Sequence, residues 1–331
     1  MMLLMGFILN SCREITVKTT VNNDGSFIRT ISIRGDSAEV LSPDLPYPID
    51  SSWLREVYRD TSDSSKYICT LVKSYKSDDM LNLEMQNDTS WRRQLNRKVD
   101  ISKRFMFFYS FITYKQVYKA ANPIRLDYRE YLNEEDILWV SEVKTPQNKK
   151  DSIRYDSAEA RLDRYWAGAL VDEITAELER GLSQLDDPEL RGFDLSIYSD
   201  SIAANVQGWS NGDFNVAIDA LVTWSGNPRL ADLHNIEPPV FQKLDNMNTF
   251  LEKLIFEEKY TLETEMPGLI TETNSTMISG NTVSWDVAPL SFYFDDYEMY
   301  VESRVMNYWA FVLSGVVVLL LLIALIVKIF K

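Results

Sequence analysis

The chain has 331 residues, a formal net charge of −15 and a pI near 4.6. That acidity argues against nucleic acid as a partner and against broad adhesion to anionic headgroups; a hydrophobic fraction of 45% excludes disorder. His234 is the single histidine, and Cys12 and Cys69 are the two cysteines. No disulfide framework, metal site or cofactor is expected from so few ligands, and any Ser-His mechanism would pass through His234.

Residues 1–11 read as an apolar leader too short to span a bilayer. The leader runs into Leu9-Asn10-Ser11-Cys12, which resembles the lipobox of bacterial lipoproteins. The resemblance implies cleavage before Cys12 and acylation of its thiol (a palmitate-type anchor). An unlipidated Cys12 in an ordinary signal peptide or short anchor is the alternative reading.

Alternating runs at Glu14–Val21 and Phe27–Ile33 flank Asp24-Gly25 and predict a β-hairpin. Pro43, Pro46 and Pro48 make an extended connector, and Ser51–Tyr58 reads as a short helix. Strands follow at Lys66–Ser74, Met80–Gln86 and, as one long element, Arg104–Tyr118. Cys69 lies in the first of these, where a lone thiol behaves as a small core residue. Arg92, Arg93, Arg97, Lys98, Lys103 and Arg104 form a basic cluster, read either as a solvated hairpin face or as a patch facing lipid headgroups. Leu126–Val140 is helical, with Asn133 to Asp136 capping a second short piece. Asp156-Ser157-Ala158-Glu159 opens a long amphipathic helix with Leu162, Trp166, Leu170, Ile174, Leu178 and Leu182 on one stripe and Glu173 and Glu177 off it. Phe193–Thr223 is turn-rich, with Asn211-Gly212 as a turn. Pro238-Pro239 precedes a second amphipathic helix carrying Val240, Phe241, Leu244, Met247 and Leu251. Lys259–Glu265, Leu269–Asn274, Thr282–Val287 and Ser291–Val301 close the body as strands.

Residues 307–327 are apolar on every face and long enough to cross roughly 30 Å of hydrocarbon. Tyr308 and Trp309 suit the interfacial belt at one end, and Lys328 and Lys331 follow at the other. Lys and Arg collect on cytoplasmic flanks, so residues 12–306 are expected outside a bacterial inner membrane and residues 328–331 inside.

The order of elements predicts an α+β fold: an antiparallel sheet from the N-terminal hairpin and C-terminal meander, packed with two amphipathic helices, plus the C-terminal transmembrane helix. Met266-Pro267-Gly268-Leu269-Ile270, Gly280-Asn281-Thr282-Val283-Ser284-Trp285 and the helix behind them resemble the C-terminal part of LppM-like membrane-anchored lipoproteins. Cys12 followed by Val17 and the Asp24-Gly25 hairpin is similar to the same family, and the layout resembles uncharacterised lipoproteins of Bacteroidota. That resemblance implies a β-rich domain that binds lipids or glycolipids, and it brings no catalytic residues. No phosphate loop, nucleophile elbow or metal motif is present. The expected function is that of a membrane-tethered structural or assembly protein with an envelope protein partner; the alternative is a lipid- or glycolipid-binding module. A packed core favours the first and a hollow core the second.

Overall fold

Apolar alternation builds the first hairpin. Glu14–Val21 (β1) and Phe27–Gly35 (β2) pair antiparallel in full register, Glu14 opposite Arg34 and Val21 opposite Phe27. Asp24 accepts from the Ser26 backbone and hydroxyl inside the turn, and Gly25 takes φ 89°. The computed structural model describes every residue except 1–13, 42–44, 46, 91, 93–94, 142–143, 186, 210–212, 257–259 and 330–331. The leader, Cys12, Pro43, Pro46, Arg93, Asn211-Gly212, Lys259 and Lys331 therefore lie outside the described residues.

The chain divides into two units, each α+β or helical in its own right. The first comprises the described residues of Cys12–Ala120, Glu258–Val287 and Asp295–Lys331. Its remaining strands are β3 (Leu54–Arg59), β4 (Tyr67–Tyr75), β5 (Arg97–Phe105), β6 (Tyr109–Tyr118), β7 (Tyr260–Glu265), β8 (Leu269–Thr273), β9 (Met277–Ser279), β10 (Thr282–Val287) and β11 (Tyr297–Met306). They form a seven-stranded sheet, β3-β4-β2-β1-β7-β10-β9, and a four-stranded sheet, β5-β6-β11-β8. All pairs are antiparallel except β1 with β7. The N-terminal hairpin thus joins β7, β10 and β9 as expected, while β8 and β11 leave for the second sheet.

Gly268 makes that departure possible. It follows Pro267 between β7 and β8 with φ 85°, and a Cβ there would lie 2.4 Å from the Arg304 carbonyl oxygen. The position needs glycine both for its backbone and for its closeness to β11.

Several local readings change. Ser51–Tyr58 is not helical: β3 pairs along β4 from Leu54–Val72 to Arg59–Tyr67. Backbone pairing with a neighbour decides this segment, and a short mixed run does not reveal it. Met80–Gln86 belongs to a helix. After α1 (Ser37–Leu41), α2 (Asp78–Asn87) buries Leu81, Asn82 and Met85 at helical spacing, with Asp78 and Asp79 in its first turn. The Asn82 amide donates to the Val99 carbonyl at 2.7 Å and accepts from the Val99 N–H at 2.9 Å. Asp78 accepts from the Ile101 N–H at 3.1 Å. These side chains satisfy the free edge of β5, where an open strand would otherwise invite pairing. Finally, Arg104–Tyr118 is not one strand. It breaks at Met106-Phe107-Phe108 into β5 and β6, and Met106 and Tyr109 exchange backbone bonds of 2.8 and 3.1 Å across the turn. Ser291–Val301 likewise opens as a 3-10 turn, Pro289–Phe292, before β11 begins at Tyr297.

The second unit, Ala121–Glu257 with Ala288–Phe294, is built on helices α3 (Glu134–Val140), α4 (Lys149–Leu185), α5 (Ser199–Trp209), α6 (Val216–Ser225) and α7 (Gln242–Phe256). Its core gathers Ile174, Leu178, Ile202, Val206, Ile218, Leu221, Phe241 and Leu244. Asn133 and Asp136 form the expected capping box of α3. Helix α4 starts seven residues before Asp156. Asn148 accepts from the N–H groups of Lys150 and Asp151 at 3.0 and 3.1 Å, so it is the cap. Glu173 and Glu177, expected outside, are buried. Glu173 accepts from the Arg125 N–H at 2.8 Å and faces Lys243 Nζ at 3.6 Å; Arg180 binds Glu177 at 3.0 Å. Charge pairing makes their burial tolerable. The turn-rich reading of Phe193–Thr223 gives way to α5 and α6.

Substituting Gly268→Ala should lower stability by more than about 2 kcal/mol, since the left-handed penalty of roughly 1–2 kcal/mol adds to the collision with β11. Thermal unfolding of the full chain in detergent checks this, and an unchanged midpoint would contradict it. Asp60 gives a pH prediction. Its carboxylate sits 2.5 Å from Arg34 Nε and accepts from Ser62, and these bonds hold it below the ordinary carboxylate range. A depressed folded value stabilises above the unfolded pKa of about 3.9 and loses that contribution as pH falls through the folded value. Asp60→Asn should therefore flatten the acid limb of a stability–pH curve while leaving its neutral plateau lower than that of the parent.

Candidate functional site

The site begins where β11 ends. Tyr308–Ile329 is a helix of 22 residues, about 33 Å long at ~1.5 Å per residue. It is long and apolar enough to cross a membrane. Ala310 is its one buried residue among those described, so nearly all of its surface is bare.

One residue, Asn307, links β11 to this helix and holds the β5–β6 turn against it. The Asn307 N–H donates to the Phe108 carbonyl at 2.9 Å. Its side-chain amide donates to the carbonyls of Met106 at 2.8 Å and Phe107 at 3.2 Å. Its side-chain oxygen accepts from the Ser110 hydroxyl at 3.0 Å. Asparagine supplies donor and acceptor together, which a three-residue turn with open carbonyls requires.

Aromatic contacts extend the joint. Phe105 stacks on Trp309 with centroids 6.1 Å apart, and Phe107 meets the same ring edge-on at 5.6 Å. Phe108 lies 4.9 Å and Tyr109 6.1 Å from Phe311. Tyr308 and Trp309 are both exposed.

The basic cluster read from sequence divides. Lys103 and Arg104 sit two residues and one residue before Phe105, close to the joint. Lys103 Nζ donates to the Asn23 carbonyl at 2.7 Å; Arg104 lies over the Phe111 ring at 4.8 Å and 3.5 Å from Glu302. Arg304 joins them over the Tyr109 ring at 4.8 Å; the sequence reading did not include it, because only strand pairing brings it opposite Phe111. Lys98 is exposed but about 23 Å along the strand from Phe105 at ~3.3 Å per residue. Arg92 donates to the Leu45 carbonyl and to Ser90 Oγ at 3.0 Å, a loop-holding role. Arg97 departs furthest from a headgroup-facing side chain: it is buried, 4.6 Å over the Tyr47 ring and 5.7 Å from that of Tyr118. β5 alternates, and its register turns Arg97 to the inner face. Lys328 lies in the last turn of the apolar helix.

A cavity of about 280 Å³ opens beside the joint, lined by Asn23, Lys103, Ser110, Ile112, Asn307 and Trp309 among others. Deeper between the sheets lies a polar layer. Arg29 is 0% exposed and its Nη2 donates to Thr19 Oγ1 at 3.3 Å, Tyr114 Oη at 3.1 Å and Gln116 Oε1 at 3.0 Å. Its Nε and Nη1 find no acceptor among the described residues. The Tyr114 hydroxyl in turn donates to Gln116 at 2.6 Å, and burial pushes that phenol's pKa up. Around the layer, Phe27, Ile31, Ile33, Cys69 and Val301 fill the inner faces. In the helical unit His234 pairs with Asp219 at 2.9 Å.

No family model and no curated relative matches the chain. A search of solved structures finds the folded domain of Mycobacterium tuberculosis LppM, 11% identical, with a TM-score of 0.29 over 91% of this chain and 94% of that one. This is a weak structural resemblance and bears no functional argument.

Gln116→Leu should destabilise the two-sheet unit by about 1.5–3 kcal/mol, the worth of a hydrogen bond to a charged group. Adding Arg29→Met should recover most of that loss, because replacing a buried charge together with its partner by apolar groups is often neutral. A double-mutant cycle in denaturant checks the pair, and additive losses would contradict the coupling.

Proposed function

We propose that this is a membrane-tethered protein that works by binding another protein rather than by catalysis. The apolar helix crosses a bacterial inner membrane in this reading, with Lys328 on the cytoplasmic side and both units outside. Structural or assembly work in the envelope follows from such a tether. The likeness of its two turns, Pro267-Gly268 and Gly280-Asn281, to LppM-like lipoproteins is compatible with that setting.

The observation that carries the reading is the outer edge of β3. Every residue of this strand is exposed, Leu54 at 73%, and Val57 and Tyr58 are exposed beside it. β3 pairs with β4 on one side and ends the seven-stranded sheet on the other. Arg55, Glu56 and Arg59 charge this edge, yet Leu54, Val57 and Tyr58 stand exposed between them, and an open edge with apolar side chains suits an added strand from a partner. Lipid carriage is less well supported. The cavity beside the joint, about 280 Å³, falls short of the ~300–1,000 Å³ of usual ligand pockets.

Photocrosslinking in native membranes tests the proposal. A photoreactive residue at Tyr58 of the full chain should capture a discrete protein, and Leu54→Lys should reduce that capture to background. The same probe at exposed Asp100 should capture none. Equal capture at both positions, or lipid adducts alone at Tyr58, would contradict it.

A further inference from the structure

The β5–β6 turn breaks the ordinary chemistry of a hairpin tip. Turns favour Gly, Asn, Asp and Ser, which satisfy the bend and face water. Here Phe105, Met106, Phe107 and Phe108 occupy it, exposed at 57%, 52%, 45% and 40%. Four consecutive large apolar side chains at the end of a strand pair would be a liability in water.

Their surroundings account for them. The rings of Phe105 and Phe107 rest on Trp309, and that of Phe108 on Phe311. Those two residues belong to the first turn of the apolar helix, so the turn and the helix form one continuous apolar surface. Asn307 fixes the two together through the carbonyls of Met106, Phe107 and Phe108. The rings that remain open therefore lie at the depth of Tyr308 and Trp309, where aromatic side chains gather at a membrane interface. Immediately behind them stand Lys103, Arg104 and Arg304, with two acids nearby: Glu302 at 3.5 Å from Arg104, and Asp24 within electrostatic reach of Lys103. Cations at that height face headgroup phosphates even in an acidic protein.

We propose that the β5–β6 turn is a second membrane attachment: Phe105, Met106, Phe107 and Phe108 insert into the bilayer interface beside the root of the apolar helix. The occupant of this surface is lipid, at the boundary of headgroup and acyl chain. A lone helix would let the unit above it swing. Two insertions joined through Asn307 fix one end of the two-sheet unit against the bilayer and hold β3 at a set orientation to the membrane plane.

The test uses the full chain in lipid vesicles, with Cys12→Ser and Cys69→Ala as background and single spin labels placed by Phe107→Cys, Phe108→Cys, Asp100→Cys and Val317→Cys. Val317, in mid-helix, is the reference for immersion. The labels at 107 and 108 should collide with dissolved oxygen more often, and with a water-soluble nickel chelate several-fold less often, than the label at 100. Chelate access at 107 equal to that at 100, while 317 is protected, would overturn the proposal. If 317 itself were open to the chelate, the apolar helix would not be in the bilayer, and the proposal would fall with it. A fourth comparison separates insertion from mere packing on the helix: Met106→Cys, whose side chain contacts neither Trp309 nor Phe311 by ring stacking, should be protected as well. A chelate-accessible Met106 label would confine the aromatic residues to an intramolecular role and so reject insertion.

Discussion

Asn307 is the constraint on which the arrangement of the two-sheet unit at its apolar end depends. A strand ends at Met306, a helix begins at Tyr308, and a single residue separates them. With no slack, the direction of the helix is set by whatever holds that residue. Four of its hydrogen bonds reach the tip and first residues of a hairpin some two hundred positions earlier in the chain. Beside these bonds the Phe105 and Phe107 rings rest on Trp309 and the Phe108 ring on Phe311. A flexible linker in its place would have made the helix a leash; here it continues the sheet.

The polar layer inside the unit acts differently. A buried guanidinium with neutral partners contributes little net stability, because desolvation offsets its bonds. Arg29 draws acceptors from both sheets, Thr19 from one and Tyr114 and Gln116 from the other. A slip of either sheet by one residue would bury a cation against hydrocarbon. The layer thus selects one stacking of the sheets, and with it the place where the β5–β6 turn emerges.

Much of the chain was legible in sequence where local chemistry and final environment agree. The first hairpin, the capping box at Asn133, the stripe on α4 and the apolar helix all followed from period and cap. Two of the failures rest on information held elsewhere in the chain, and the others on local chemistry that misleads. β3 is a strand because β4 pairs with it, and Met80–Gln86 is helical because Asn82 and Asp78 serve the edge of β5. The unbroken aromatic run of Arg104–Tyr118 concealed a turn because its tip carries no turn residue, the same property that marks it as a contact surface. Arg97 groups with its sequence neighbours in the basic run, but alternation sends it inward; Arg304 meets Arg104 only across Phe111, two hundred residues along the chain.

The rigidity of the joint between sheet and apolar helix is the property to test. Amide hydrogen exchange of the full chain in lipid nanodiscs addresses it most directly, read at Tyr109 and Asn307, whose N–H groups donate to Met106 and Phe108. Protection comparable to the interior of β6 is expected there. Exchange at those two amides as fast as in an unstructured peptide would show the joint to be loose.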